Sequence, residues 1–280
     1  MKSVCGELAI NIGPRNIYHY DALCRAAQFV EQQFEECSYA AEHQAFEAKG
    51  KTFANVIAER RGTSAPDEIF LIGAHYDSHK DAPGANDNGS AVAALLELAR
   101  VASQWEPQRT LRFVAFTNEE KPFTRTAEMG SRVYARACRA RGDNIVGMLA
   151  LDTLGCCSDE IGSQWLSLRG HLLPRRGDFL ALIGDRNSRG LLGRISSAFR
   201  TGTTVETRAL TLPRFLPGVR SSDHWSFWQE GFKAALATDT APLRYRHYHK
   251  RSDTPDKINF GFLERVVGGL EAVQRRMASR

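Results

Sequence analysis

Apolar residues along this chain fall into two kinds of run. Three short runs are almost continuously apolar: residues 68–75, 110–117 and 146–152. Runs of this length, bounded by turn residues, read as strands buried on both faces. Residues 52–58, 179–183, 205–210 and 233–238 read as further strands. Between them lie longer segments with apolar residues every three or four positions. Residues 17–36 carry Ala22, Leu23, Ala26, Ala27, Val30 and Phe34 at helical spacing. Ser90 is placed to cap a helix that continues to about residue 103, rich in Ala, Leu and Glu. Residues 126–141, 188–200 and 260–277 also read as helices. Residues 81–89, rich in Asp, Asn, Gly and Pro, must be a loop.

Strands alternating with helices predict an α/β fold: a mostly parallel, mixed central sheet with helices on both faces. No repeat or linker divides the chain, so residues 1–280 are expected to form a single domain. Residues 206–225 are the least regular, and a long loop in a compact domain is often a substrate-binding element.

Composition narrows the function. With 280 residues, 42% of them hydrophobic, a core can form without disulfides. None of the six cysteines forms a Cys-x-x-Cys pair, which excludes a zinc ribbon or a thioredoxin-type motif. Buried free thiols are expected, with Cys156 or Cys157 near any site around Asp152. The formal charge of +5 is carried by scattered pairs such as Arg60-Arg61 and Arg175-Arg176, a solvated surface and not a nucleic-acid stripe. No run approaches the roughly 20 apolar residues of a membrane span, and no apolar leader follows Met1. The expectation is a cytoplasmic protein, although a trimmed secreted or periplasmic chain would look the same.

Candidate chemistry collects where the predicted strands end. His75, Glu119-Glu120 and Asp152 stand at or just after three strand ends, and Asp87 and His249 lie in loops. Open α/β sheets place their sites at the carboxyl ends of strands. Imidazoles and carboxylates gathered there suit a divalent ion, zinc first. Asp77 points to the same side as His75 along an extended segment and could orient its ring. Asp87 could equally be an ordinary turn residue before a helix. Two adjacent acids at a buried strand end repel and need a counter-charge. One of Glu119 and Glu120 can face a metal while the other takes a proton from water. His79, His224 and His247 rival His249, and spacing alone does not choose among them.

Four segments in this order resemble the zinc aminopeptidases of family M28. They are Gly73-Ala74-His75-Tyr76-Asp77-Ser78, Gly84-Ala85-Asn86-Asp87-Asn88-Gly89-Ser90, Asn118-Glu119-Glu120 with Met129-Gly130-Ser131, and Tyr248-His249 with Asp253-Thr254-Pro255-Asp256-Lys257. Leu151-Asp152 falls between them, and residues 10–72 resemble the family's lead-in more loosely. The resemblance implies the zinc aminopeptidase (phosphorylase/hydrolase-like) fold and two zinc ions, with manganese or cobalt able to share the ligands. Asp87 would bridge them, His75 and Asp152 would hold one, and Glu120 and His249 the other. Glu119 matches the general base and Asp77 the partner of His75. The substrate would be a peptide or small amide, with no nucleic acid or membrane partner; oligomeric state is unreadable.

The chain departs from the pattern in two places. Lys250-Arg251-Ser252 follows His249 in place of Thr-Pro, and Lys121 to Thr126 is longer than the usual link. Ser222-Asp223-His224 matches a segment lining the site's mouth, where His224 could contact substrate or serve structure. Phe215, Leu216, Trp225 and Phe227 could line an apolar pocket, with core packing the plainer reading. The competing functions are a glutaminyl-peptide cyclase-like acyltransferase, a small-amide deacylase and a non-catalytic binding module. Five filled ligand positions and both glutamates favour hydrolysis.

Overall fold

The computed structural model describes residues 1–165 and 174–279. Its strands are β1 (Glu42–Ala48), β2 (Lys51–Arg60), β3 (Ala65–His75), β4 (Arg109–Phe116), β5 (Asn144–Leu151), β6 (Phe179–Gly184), β7 (Glu206–Thr211) and β8 (Ala234–Thr238). They form one sheet in the order β1-β2-β4-β3-β5-β8-β6-β7. The central four, β4, β3, β5 and β8, run parallel. β1 and β2 form an antiparallel pair at one side, and β6 runs antiparallel to β8 at the other. The sheet is therefore mixed and mostly parallel, as the alternation predicted.

Period-two alternation divides the central strands between two core layers. Phe70, Ile72, Leu111, Phe113, Leu149 and Leu151 face one side. Leu71, Val114, Phe116, Met148, Ala150 and Leu236 face the other. On the first side lie α1 (Lys2–Gly6), α2 (Tyr20–Glu36), α3 (Ala91–Ala102), α5 (Arg189–Phe199) and α7 (Phe260–Ala278). On the second lie α4 (Gly130–Arg141) and α6 (His224–Gln229). Each large apolar side chain so buried contributes roughly 1.5–3 kcal/mol.

The predicted elements lie close to the observed ones, with informative exceptions. β1 carries only one buried residue, Ala48, so this polar edge strand has no apolar alternation to read. Helices α1 and α6 are too short to display a period. The helix expected from residue 126 starts at Gly130, whose backbone N–H donates to Thr117 O at 2.9 Å. A Cβ there would sit 2.3 Å from that oxygen, so only glycine allows the approach. Ser90 does not cap α3 with its side chain. Its hydroxyl donates to Asn86 O at 2.7 Å and accepts from Leu154 N at 2.9 Å, tying two loops together. Among the described residues, no helix is long and apolar enough to cross a membrane.

Gly73 sits in the middle of this packing. A Cβ on it would lie 2.3 Å from Cε2 of the fully buried Phe116 ring. Gly73→Ala should therefore cost about 1–3 kcal/mol through overpacking. Urea unfolding measures this, and a variant as stable as the parent would show that the ring can yield freely.

Candidate active site

Parallel pairing sets the strand ends level. His75 pairs with Phe116, Ala74 with Leu151, and Leu151 with Ala237. Side chains just beyond these ends emerge at one edge of the sheet. The ladder continues for a residue or two past the strands: Tyr76 N donates to Phe116 O at 2.8 Å, and Asp152 N to Ala237 O at 3.1 Å. His75, Asp87, Glu119, Glu120, Asp152 and His249 are all brought together here.

Two aspartates that are not among the five expected ligands build the loops. Asp77 accepts from the backbone N–H of Glu119 at 3.1 Å and of Glu120 at 3.0 Å. Asp253 accepts from Asn86 N at 2.9 Å and Asp87 N at 3.1 Å, and also from the Tyr245 hydroxyl at 2.8 Å. Each carboxylate thus clamps two consecutive amides. His75 Nδ1 faces the backbone carbonyl of Asp77 at 3.1 Å, with the Asp77 carboxylate at 3.4 Å. Asn88 closes the third side: its amide donates to Leu151 O at 3.1 Å and its oxygen accepts from Thr153 N at 2.9 Å.

Behind these clamps lies Arg15, which sequence reasoning missed. It is fully buried and donates to the carbonyls of Tyr76, Pro83 and Gly84 at 2.6, 2.6 and 2.9 Å. Its guanidinium staples the His75–Gly89 stretch to the amino-terminal segment. A lone arginine sixty residues upstream carries no sequence signal for that role. Asp253 lay in a recognised segment, but nothing in its spacing pointed to Asn86.

The ligand-type atoms converge. Asp87 Oδ1 faces His75 Nε2 at 3.5 Å, while Asp87 Oδ2 faces His249 Nε2 at 3.1 Å. His75 Nε2 is 3.8 Å from Asp152 Oδ1, and His249 Nε2 is 3.1 Å from Glu120 Oε1. Yet His75 Nε2, Asp87 Oδ2, Glu119 Oε1 and Glu120 Oε1 are buried without hydrogen-bond partners. Ligand-type atoms here lie within 4.8 Å of one another in two sets. Donors around a tetrahedral zinc, at about 2.0–2.2 Å from it, stand roughly 3.3 Å apart. The spacing here fits that. Two groups could each hold an ion: His75, Asp87 and Asp152, and His79, Glu120 and His249. The residues present therefore fit a two-metal site.

Electrostatics gives the same answer. Burial pushes the Asp87 carboxyl up to about 7, against the pull of His249. Burial also raises Glu119 well above its usual range, with His75 opposing and Glu120 and Asp152 adding to it. Burial lowers His249, but Asp87 and Glu120 outweigh it and lift the imidazole to about 10. Without a counter-charge, a buried cluster of acids must hold protons; divalent cations replace those protons.

The rival histidines separate in space. His79 stacks on His249, ring centroids 4.1 Å apart, and stands at the edge of the second group. His247 turns away to Ser252 at 2.9 Å. His224 is fully buried, and its Nε2 pairs with Val219 O at 2.8 Å, so it anchors the mouth loop. Asp223 beside it is buried with neither oxygen hydrogen-bonded, and burial lifts its carboxyl to about 7. Among the cysteines, Cys5 and Cys138 are buried free thiols, while Cys156 and Cys157 are partly exposed. Cys156 N donates to Asp239, which also accepts from Asn86 at 3.0 Å.

Above the acids lies a cavity of about 260 Å³. The loop between β7 and α6 supplies Leu216, Pro217 and Arg220 to it. Phe215 instead points outward, 77% exposed, and Phe227 belongs to the core.

Comparison with known proteins agrees with this geometry. The sequence model of peptidase family M28 matches residues 55–272. The chain is 33% identical over 273 residues to the Escherichia coli (strain K12) protein YfbL, covering 94% of this chain and 83% of that one. It is 27% identical to a probable zinc metalloprotease of Pyricularia oryzae over 70% of this chain, and spans 42% of that longer protein. Among solved structures, a zinc aminopeptidase from Bacillus subtilis superposes with a TM-score of 0.77 at 16% identity, over 98% of this chain and 93% of that one. A glutaminyl cyclase of Fimbriiglobus ruber gives 0.71 at 20% identity, over 99% and 93%. At such identities the structural likeness establishes the fold.

His224 makes the mouth loop sensitive to acid. Burial holds its imidazole down at about 4, from 6.5, with the Val219 carbonyl opposing. As pH falls through 6.5 the unfolded chain takes up a proton that the folded chain refuses until about 4. Stability is lost across that window, by on the order of 3 kcal/mol. His224→Gln, which can still donate to Val219, should lose less stability between pH 7 and pH 4 by about that amount. Urea unfolding at both pH values checks it; equal losses in parent and variant would remove His224 as the source.

Proposed function

The chain belongs to peptidase family M28 and is a metal-dependent hydrolase, and we propose that it is an aminopeptidase that releases the N-terminal residue of short peptides with two zinc ions. The observation that carries this reading is the two-sided position of Asp87. One oxygen faces His75 and the other faces His249. A single carboxylate between two donor groups is what two adjacent cations require. In this reading His75 and Asp152 would hold one ion, Glu120 and His249 the other, and Asp87 would serve both. Imidazole with carboxylate suits zinc, while manganese and cobalt can share such ligands.

Metal ions held by these residues would supply Lewis acidity toward a scissile carbonyl and a water molecule. Glu119 is the general base. Its Oε1 is buried, has no protein partner and lies in the same cavity as the ligand atoms. It takes the proton from water and delivers it to the leaving amine. Asp77 holds the backbone of Glu119 and Glu120 in place through two amides, so base and ligand are positioned by one group. A cavity of about 260 Å³ is smaller than the roughly 300–1,000 Å³ of ordinary ligand pockets, which suits one or two residues and not an extended chain.

The first test is hydrolysis of aminoacyl arylamides by zinc-loaded protein, each beside its N-acetylated twin. Cleavage of the free-amine set alone is expected. Cleavage of the acetylated twins would make the protein a deacylase, and cleavage of neither would favour cyclase or binding roles. Glu119→Gln should keep both ions and its unfolding temperature while kcat drops roughly 10²–10⁴-fold. Unchanged turnover would remove Glu119 as base.

Metal content tests the ligand set separately. His249→Ala should surrender one of two zinc ions to a chelator far more readily than the parent does. Retention of both would point to His79, which stands beside Glu120 in the same group.

A further inference from the structure

We propose that the substrate carries a carboxylate close to its scissile amide, and that Lys121, Arg125 and Arg220 receive it. This deepens the aminopeptidase reading and rests on it.

The cavity is divided by charge. Its floor is made of buried acids: Asp87, Glu119, Glu120 and, partly covered, Asp152. Its walls carry Lys121 and Arg125, both exposed, and the partly buried Arg220. None of these three cationic side chains has a hydrogen bond or ion pair among the described residues. Elsewhere, Arg112 pairs with Glu59 and Asp143, Arg132 with Glu230, and Arg214 with Asp185. In the loaded site proposed above, two divalent ions offset the four floor carboxylates. The wall cations then set the net charge that a substrate meets.

These cations are mounted on anchored loops. Phe123 N donates to Glu120 O at 2.9 Å, and the Thr124 hydroxyl donates to Glu119 O at 2.7 Å. The Phe123 ring is buried and packs against Phe53, centroids 5.4 Å apart. The segment Lys121 to Thr126 is therefore bound to the two glutamates themselves. Arg125 is held at φ +60°, a left-handed conformation that costs a non-glycine residue about 1 kcal/mol or more. On the opposite wall, buried Val219 accepts from His224 and fixes the residue before Arg220. Guanidinium groups bind carboxylates through paired, charge-assisted hydrogen bonds, and a wall with two arginines and a lysine is built for an anion.

The carboxylate can come from two places on a short peptide. It can be the side chain of an N-terminal Asp or Glu, or the free carboxyl terminus of a dipeptide. Paired substrates separate them. Glu-p-nitroanilide against Gln-p-nitroanilide tests the side chain, and Leu-Ala against Leu-Ala-amide tests the terminus. In at least one pair, kcat/KM should favour the carboxylate by about tenfold or more, the effect of one hydrogen bond to a charged group. That preference should shrink as ionic strength rises. Arg125→Ala and Arg220→Ala should each move the ratio toward one, a change that loss of loop structure alone would not produce.

Hydrolysis of the neutral members with no preference in either pair would overturn the proposal and leave the aminopeptidase reading standing. If no aminoacyl compound is hydrolysed, that reading falls instead. Calorimetric binding of glutamate and glutamine to zinc-loaded Glu119→Gln protein then decides the wall by itself. Tighter binding of glutamate, abolished in the added Arg125→Ala change, is expected. Equal binding of glutamate and glutamine, together with equal binding of Leu-Ala and Leu-Ala-amide, would overturn the proposal.

Discussion

A buried set of carboxylates that outnumbers the two imidazoles facing it is the constraint on which this structure turns. Asp87, Glu119, Glu120 and Asp152 crowd two imidazoles, and several of their atoms face no hydrogen-bond donor. Such a cluster is unfavourable as bare protein, because desolvation and like-charge repulsion act in the same direction. It persists because the surrounding backbone is over-determined. Asp77 and Asp253 each grip two consecutive amides, and Arg15 grips three carbonyls from behind. The groups that build the site are thus a second set of charged residues, spent on backbone geometry and not on chemistry.

The same economy shows in the backbone itself. Asn118, Thr153, Thr240 and His249 adopt positive φ angles without being glycine. All four lie in loops after the parallel strands, beside the carboxylates. Residues in sparsely populated conformations cluster where surrounding structure holds them and function uses them. Here the level ends of β3, β4, β5 and β8 supply the rigid base, and the strained loops turn ligand side chains back over it. The fold places these side chains at the carboxyl edge, and the Asp77 and Asp253 clamps fix the backbone that carries Asp87, Glu119 and Glu120.

Chemistry and selectivity occupy different depths. The floor is buried and tied to the core, so it changes little without loss of the whole site. The walls stand on two loops, Lys121 to Thr126 and the segment before α6, whose exposed side chains are free to vary. Lys121, Arg125 and Arg220 line the same cavity as the buried acids. Division of this kind lets one catalytic arrangement serve different substrates by altering only the rim.

Sequence alone determined the layered α/β architecture and most of the strand and helix limits, because continuous and periodic apolar runs report burial directly. It also determined which residue types meet at the strand ends, since His75, Glu119, Glu120 and Asp152 follow those runs immediately. Its limits appear where contact is long-range or the signal is short. The polar edge strand β1 and the six-residue α6 have no pattern to read. Ser90 resembled a cap and instead joins two loops. His224 stood next to recognised mouth residues, but only the fold shows it buried against Val219. Nothing local distinguishes Arg15 or Asp253 from a surface charge. The tertiary structure alone decided these roles; for Arg15 and Asp253 the reason is that hydrogen bonds between residues 61 to 167 positions apart leave no trace in the spacing of either partner.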